Sequence, residues 1–406
     1  MLEMARIPAN HEKIIPEEWE HLIPSKWMSI LSLLSTPLPT IFPTASLVPP
    51  AESCVVCKPP RWTEEELKTM KIPSKNWLAE LDAAITNKWL KGVRSVQHPT
   101  NPGTRFPLWV GNFWTVLAEV VLEQREWRRA QEWVHALPQG PRTHKVQALL
   151  GQVPWKATAW ILPEEVDRDV TSVGFFAKLL SDGLLRERDI DAFVTHLNIQ
   201  ARRRSPKAPG VLVADLVLSR VLSSHHDASL HKINNSKILL QYAAVFKRNR
   251  GAYRVLLFPA HVGGTDDGHW VVFRVDFKKF EYSYGASYAK SVRMVQSPII
   301  SLMAGTGNSL GYVSYKNDVN KICNGLDHWT RILFHVRFKN IGSVMPIGIQ
   351  EDTVSCGVCV LNALEHAVLN TRLFTQNHRN NLRVQYFTDI VGLLSDHVSM
   401  IQHFPR

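Results

Sequence analysis

The sequence predicts an α+β fold, with a small mixed sheet flanked by helices that follows a mostly helical N-terminal region. Three observations predict it. Between residues 61 and 165, apolar side chains recur every three or four positions, which is the period of a helix. Three short apolar segments between residues 254 and 284 are separated by glycine-containing and lysine-containing turns, as neighbouring strands are. Helical periods return on both sides of these segments.

The composition indicates a folded protein that suits an acidic partner. The chain has 406 residues, 45% of them hydrophobic, and a formal net charge of +11. This length allows two or three domains, and this apolar content supports a core. A positive charge favours an acidic protein surface or nucleic acid as the partner. The basic residues are scattered, however, and their tightest clusters, at 202–204 and 247–250, are typical of solvated loops or helix ends, so support for nucleic acid is weak.

Targeting signals and disulfides are not indicated. The N-terminal segment has no apolar run behind its charges, so it does not predict a secretory signal. No stretch approaches the roughly 18 apolar residues of a membrane helix. Five cysteines are too few for a disulfide scaffold in a chain of this length. We therefore expect a soluble protein that is not secreted, has reduced thiols and has no membrane partner.

Three regions are predicted along the chain. Residues 1–60 are rich in proline and predict an extended, poorly ordered leader. Residues 61–165 predict a tryptophan-rich helical region, which starts with a capping box formed by Thr63 and Glu66. Eleven of the 13 tryptophans lie within the first 160 residues, and their helical spacing predicts core packing. Residues 166–406 contain the predicted sheet.

The third region has a definite order of elements. Helical patterns at 186–204 and 213–224 precede a strand at 254–259. Two more strands follow, one from Val271 to Phe277 and one that ends near Tyr284, and the segment at 332–338 is ambiguous between helix and strand. After Cys356 a clear helix is predicted, because four apolar residues fall on one of its faces, namely Val358, Leu361, Leu364 and Val368.

Metal and cofactor sites are not predicted. Cys54 and Cys57 have half of the spacing of a zinc site, but no second cysteine or histidine pair follows nearby. We therefore assign no metal ligand and no cofactor.

Four residues form a candidate catalytic constellation. Cys356, between Ser355 and Gly357, is at a predicted loop-to-helix junction, where free backbone N–H groups and the helix dipole favour a thiolate. Such a position lowers a thiol pKa from about 8.5 to between roughly 3.5 and 7.5. His269 begins a strand after a glycine-containing loop and is a candidate base, and Trp270 beside it can exclude water. The side-chain amide of Gln350 can donate to the oxyanion of an acyl-transfer intermediate.

These motifs resemble the ubiquitin-like-protein-specific cysteine proteases, which include the SUMO proteases and are related to the adenovirus protease. The resemblance covers roughly residues 170–375 and is strongest in the stretches 256–277 and 348–366. The family order of His-Trp, Gln and Cys-Gly is matched, and so is the six-residue spacing between Gln350 and Cys356. The resemblance implies that Cys356 attacks the carbonyl after a Gly-Gly tail, that His269 is the base and acid, and that Trp270 contributes to substrate binding. It also implies that Gln350 helps to form the oxyanion hole and that residues 166–406 are the peptidase domain.

One position departs from the family pattern. The family has an aspartate that orients the histidine, in a Tyr-Gly-Asp-Ser type of stretch, whereas this chain has Ala286 there. In a serine triad, replacing that aspartate by its amide costs about 10⁴ in turnover. A Cys–His pair should lose less, so we expect an attenuated protease if another group orients His269.

Two alternatives remain from the sequence. The first is a degenerate domain that binds a ubiquitin-like protein without cleaving it, which Ala286 favours. The second is a thiol–disulfide oxidoreductase built on Cys356 and Cys359, whose spacing is that of a redox pair. The oxidoreductase hypothesis leaves His269 and Gln350 without roles. The expected partner is SUMO or another ubiquitin-like protein, and the charge and the resemblance together favour the nucleus over the cytoplasm.

Overall fold

The computed structural model describes residues 14–42, 71–88, 95–98, 101–160, 170–205, 210–227, 230–248, 252–263, 268–287 and 308–402. The chain divides into two compact units. The first comprises residues 1–136 and 147–157, and the second comprises residues 137–146 and 158–406. The boundary predicted between residues 165 and 166 lies outside the described residues.

The first unit combines helices with short strands. Its described elements are α1 (Glu17–Glu20), α2 (Ile30–Ser35), β1 (Thr40–Phe42), β2 (Lys71–Pro73), α3 (Lys75–Lys88), β3 (Ser95–His98), β4 (Asn101–Pro107), α4 (Val110–Ala136) and the end of α5 (Pro141–Gln152). The first residues of α5, up to Val146, belong to the second unit. Strands β1 and β2 are parallel, and β3 and β4 are antiparallel. Trp77, Trp109 and Trp114 are buried together in one cluster, which confirms a core role for these tryptophans. The capping box predicted at Thr63 and Glu66 lies outside the described residues.

Part of the predicted leader is folded. Ser29 caps α2 by accepting a hydrogen bond from the Ser32 N–H, and Ile30 and Leu33 are fully buried. Gln124 of α4 donates to the Leu33 carbonyl at 2.7 Å and to the Thr36 carbonyl at 2.8 Å. Within residues 14–42 of the predicted leader, apolar side chains and carbonyl groups thus find partners in the first unit. Residues 1–13 and 43–60 lie outside the described residues.

The second unit contains a five-stranded mixed sheet. Its described elements are β5 (Thr158–Trp160), β6 (Val170–Ser172), a 3₁₀ segment (Val173–Leu180), α6 (Glu187–Arg204), β7 (Gly210–Val213), α7 (Leu216–Ser224), α8 (Leu230–Asn234), α9 (Lys237–Arg248), β8 (Tyr253–Val262), β9 (His269–Asp276), β10 (Glu281–Ala286), α10 (Asn308–Phe334), β11 (Lys339–Asn340), α11 (Cys356–Leu369), a 3₁₀ segment (Gln376–His378) and α12 (Arg379–Gln402). The strand order is β11-β10-β9-β8-β7. Strand β7 is parallel to β8, and β10 is parallel to β11. Strands β8 and β9 are antiparallel, and so are β9 and β10.

Helices cover both faces of this sheet. Alternate residues of β8 and β9, such as Phe258 and Phe273, form one apolar cluster with α7, α8, α9 and α10. Helix α11 packs against β9 and α6, and α12 packs against α6 and α11. A strand alternates its side chains between the two faces of a sheet, and helices cover both faces here. Strand β9 is therefore nearly continuous in apolar residues and is buried along most of its length.

The predicted α+β class is confirmed, and individual elements differ in detail. The helical pattern at 213–224 begins with a strand, β7, and the helix starts only at Leu216, after the Asp215 side chain accepts from the Val217 N–H. The ambiguous segment at 332–338 is helical up to Phe334. Among the described helices, none has the length and the apolar character that crossing a membrane requires.

Candidate active site

Cys356 is the first residue of α11, and its side chain is buried. The backbone N–H groups of Trp270, Gly357 and Cys356 itself act as hydrogen-bond donors to the sulfur. Burial nevertheless raises the pKa of the Cys356 thiol above its usual value, because desolvation of the thiolate outweighs these donors. The prediction of a lowered thiol pKa at this helix start is therefore wrong. The raised pKa favours a neutral thiol at this position.

Gly357 lets the start of α11 approach the segment before α6. A methyl group at Gly357 would lie 2.9 Å from Cβ and 3.2 Å from Cγ of Leu185, closer than normal contact allows. The same segment anchors β9, because the Trp270 indole N–H donates to the Leu185 carbonyl at 3.1 Å. Leu185 thus contacts both partners of the candidate site, the helix that carries Cys356 and the strand that carries His269.

His269 is the first residue of β9 and pairs with Val262 of β8. Its ring is buried and makes an edge-to-face contact with Tyr315 of α10, with 5.9 Å between the ring centroids and 72° between their planes. Burial, and then the nearby imidazole of His261, lower the pKa of His269 to about 4. His269 is therefore neutral at physiological pH, as a general base must be. It directly precedes Trp270, whose backbone N–H lies at the Cys356 sulfur.

The register between β9 and β10 gives the position of Ala286 relative to His269. Ala286 of β10 is paired with Val271 of β9, two residues from His269. Paired residues share a face, and so do residues two apart on one strand, so Ala286 lies diagonally opposite His269 on the same face. An aspartate at this position would be within side-chain reach of the imidazole. Asp276, by contrast, pairs with Arg274 and accepts from the N–H groups of Lys278 and Lys279, so it shapes the β9–β10 turn.

Gln350 is brought to the end of β10 by backbone hydrogen bonds. The segment after α10 runs alongside β10, and its last described hydrogen bond there joins the Gln350 N–H to the Ser287 carbonyl at 2.9 Å. Gly285 permits this approach, since a methyl group there would lie 3.1 Å from the Met345 carbonyl oxygen. The buried Gln350 side chain accepts from the Ser287 hydroxyl at 2.6 Å and donates to the Asp352 carbonyl at 2.7 Å.

Asp352 fixes the loop that leads into Cys356. Its carboxylate accepts from the N–H groups of Val354 and Ser355 at 3.0 and 2.8 Å, and from the Ser355 hydroxyl at 2.6 Å. Gln376 and Arg379 also donate to it. Burial alone would raise the pKa of Asp352, but the hydrogen bonds, those from Ser355 and Gln376 foremost, lower it below its usual range. The loop before the nucleophile is thus held by an ionised side chain.

A cavity of 250 Å³ opens beside Trp270. Its lining combines a strand edge with the segment before α6, and the residues are Leu184, Leu185, Arg186, Glu187, His261, Gly268 and Trp270. Its exposed lining residues are apolar and charged, since Leu184, Arg186 and Glu187 are all exposed. The indole of Trp270 is held in place by Leu185 and by an edge-to-face contact with His261 at 4.8 Å.

Cys359 lies one turn after Cys356 in α11. Burial raises the pKa of its thiol, and the Ser287 hydroxyl is a hydrogen-bond partner of this thiol. A low thiol pKa, the usual mark of a redox Cys-x-x-Cys pair, is absent from both cysteines. Within the described part of the chain, no group of three or more His, Cys, Asp or Glu side chains is arranged to hold a metal ion.

The structure brings the backbone of Trp270 to Cys356 at the start of α11, and His269 directly precedes Trp270 in β9. Gln350 is joined to the loop before α11 by its hydrogen bond to the Asp352 carbonyl. Sequence reasoning missed Ser287, Asp352, Leu185 and Tyr315. Only Asp352 carries a sequence signal, because an aspartate three residues before a serine at a helix start is typical of local side chain to backbone hydrogen bonds.

A scan against protein-family models finds no match, and a search of curated proteins finds no significant relative. Solved structures similar to this chain include the SUMO protease Ulp1 with its catalytic cysteine oxidized to a sulfenic acid. It is 14% identical, with a TM-score of 0.40, and the match covers 64% of this chain and 99% of that chain.

Two further solved structures have similar values. The Ulp1 protease domain in complex with Smt3, the yeast ortholog of SUMO, is 13% identical, with a TM-score of 0.37, over 68% of this chain and 95% of that one. The catalytic domain of a Ulp1-like SUMO protease from Chaetomium thermophilum is 13% identical, with a TM-score of 0.38, over 66% and 88%. The three structures are of SUMO proteases, the family that the sequence motifs resemble. At these scores, the function proposed below rests on the contacts of this chain's own residues.

Proposed function

We propose that this chain is a cysteine-type peptidase or isopeptidase that cleaves after the Gly-Gly tail of SUMO or another ubiquitin-like protein. The observation that carries the proposal is the placement of the Cys356 sulfur at the start of α11, against the backbone N–H of the residue that follows His269. A thiol, a neutral imidazole and a set of backbone N–H donors are the parts that acyl transfer to sulfur requires.

The reaction starts from a neutral pair. His269 accepts the proton of the Cys356 thiol as the sulfur attacks the carbonyl carbon of the terminal glycine, because its lowered pKa leaves the imidazole unprotonated. The resulting oxyanion is stabilised by N–H donors at the helix start and by Gln350. His269 then gives its proton to the leaving amine, and a thioester remains on Cys356. Water, deprotonated by His269, hydrolyses the thioester and restores the thiol.

The cavity beside Trp270 favours a substrate tail without side chains. The cavity of 250 Å³ is the proposed channel for an extended Gly-Gly segment. A tail without side chains would let Trp270 pack along its backbone and exclude water from the reacting atoms. The ubiquitin-like class of substrate also follows from the family resemblance of the motifs around His269 and Cys356.

Ala286 favours a second candidate function, a domain that binds a ubiquitin-like protein without cleaving it. In this chain the side chain on the His269 face of β10 is a methyl group, so the histidine lacks a carboxylate from that position. Tyr315 contacts the ring instead. The edge-to-face contact restrains the plane of the imidazole but does not stabilise an imidazolium as a carboxylate would.

Hydrolysis of SUMO and of ubiquitin that carry a fluorogenic amide at the C-terminal glycine separates the two functions. The full chain is expected to release the fluorophore from one of them, and Cys356→Ala and His269→Ala are expected to abolish release. Binding of the same modifier to the Cys356→Ala chain, without turnover by the wild-type chain, would instead establish the binding domain. A folded chain that neither cleaves nor binds either modifier would contradict both.

A further inference from the structure

Ser287 is a fully buried polar residue that directly follows Ala286 at the end of β10. Its hydroxyl donates to the side-chain oxygen of Gln350 at 2.6 Å, and its carbonyl accepts from the Gln350 backbone N–H at 2.9 Å. Two hydrogen bonds between the same two residues fix both the backbone and the side chain of Gln350. No role was predicted for Ser287 from the sequence.

The orientation of the Gln350 amide follows from its neighbours. The Asp352 carbonyl can only accept, so the amide nitrogen must face it, and the distance is 2.7 Å. The amide oxygen therefore faces Ser287, and the hydroxyl must donate to it. One of the two N–H groups of the amide is used by Asp352, which leaves the second for an oxyanion.

We propose that Ser287 is the positioning residue of the oxyanion hole: its hydroxyl holds the Gln350 amide in the one orientation that presents the free N–H to the reacting carbonyl. This inference rests on the proposed function.

The test measures kcat and KM of the full chain on the fluorogenic modifier, together with the rate at which iodoacetamide alkylates Cys356. Loss of an oxyanion-hole donor costs on the order of 10²–10³ in kcat. Ser287→Ala, which leaves the amide in place but free to rotate, is expected to lower kcat about tenfold with little change in KM. Alkylation, which forms no oxyanion, is expected to stay within about twofold of wild type. Ser287→Cys, which keeps a weak donor, should recover part of the loss, and it serves as the test if Ser287→Ala does not fold.

A double-mutant cycle with Gln350→Ala excludes a general structural effect. Once Gln350 is removed, Ser287→Ala is expected to have no further effect on kcat. An unchanged kcat in Ser287→Ala, or an undiminished loss in the Gln350→Ala background, would overturn the inference while the wild-type activity stands. A wild-type chain without turnover would instead refute the proposed function.

Discussion

His269 and Ala286 lie on one face of the central sheet, diagonally opposite across the β9–β10 pair. In this register an aspartate at position 286 would lie beside the histidine, and the chain has an alanine there. The consequence for catalysis can be tested by introducing that carboxylate.

Ala286→Asp is expected to raise kcat/KM about tenfold or more. A carboxylate at this position would accept from the His269 ring N–H, fix its tautomer and stabilise the imidazolium that forms during attack. It would also raise the pKa of His269 from its lowered value, because an opposite charge favours the protonated ring. The measurement is the pH dependence of kcat/KM for both chains.

Ala286→Asn is the matched control, since the amide has nearly the same shape but no charge. Ala286 packs partly against the apolar cluster, so both variants are expected to lower the melting temperature. Equal activity of the aspartate and asparagine variants would show that a carboxylate there does not act on His269.

The pH dependence of alkylation reports the state of the free thiol. Burial raises the pKa of Cys356 and, with His261, lowers that of His269 to about 4. Burial thus favours the neutral form of both groups at neutral pH, so a thiolate–imidazolium pair is not the resting state. The iodoacetamide reaction of Cys356, followed by peptide mass spectrometry, is expected to rise steadily from pH 6 to pH 10. A plateau of high reactivity between pH 5 and pH 8 would show a preformed ion pair and contradict this description.

The lowered pKa of His269 also predicts the pH at which turnover is lost on the acid side. His269 is active in its neutral form, so kcat/KM is expected to fall only as the pH drops toward about 4, well below the usual histidine pKa near 6.5. An acid limb centred near pH 6.5 would mean that His269 is solvated in the working enzyme.

Gly357→Ala is expected to lower both stability and activity. The added methyl group would meet Leu185 at 2.9 Å, and overpacking of a core contact typically costs about 1–3 kcal/mol. Because Gly357 follows the nucleophile directly, relief of the clash would also displace the Cys356 sulfur. Chemical denaturation and kcat are the two measurements.

Two further variants make the Gly357 prediction specific. Leu185→Ala in the same chain removes the clashing atoms beyond Cβ and should recover part of the lost activity. Gly392→Ala, in α12, has no atom within 4 Å of the added methyl group and should leave stability unchanged or raised by about 1 kcal/mol. Equal losses of stability for Gly357→Ala and Gly392→Ala would contradict the Leu185 contact as the cause.

The sequence predicts the catalytic residues better than it predicts their electrostatics. His269, Gln350 and Cys356 are recognisable because their spacing is local and their residue types are specific. The pKa of Cys356 depends instead on how deeply α11 packs against β9 and Leu185, which no local pattern encodes. The helix start alone predicts a lowered thiol pKa, which is the wrong direction. Burial raises the pKa of Cys356, and its effect is stronger here than that of the helix dipole.

Positioning residues are harder to predict because they act across long sequence separations. Ser287 lies 63 residues from Gln350, and Leu185 lies 85 residues from Trp270. A single serine or leucine has no distinctive spacing, so only the strand register and the helix packing assign it a role. The hydrogen bond from Gln124 to Leu33, within the predicted leader, spans 91 residues and is hidden from local patterns for the same reason.

The central claim is that Cys356 is a nucleophile for the terminal glycine of a ubiquitin-like protein. The most direct measurement incubates the full chain with SUMO and with ubiquitin, each bearing an electrophile in place of the C-terminal carboxylate, and locates the adduct by mass spectrometry. We predict a covalent adduct with one modifier on Cys356, absent in Cys356→Ala and retained in Cys359→Ser. A folded chain that forms no adduct with either modifier, or one attached to a cysteine other than Cys356, would contradict the claim.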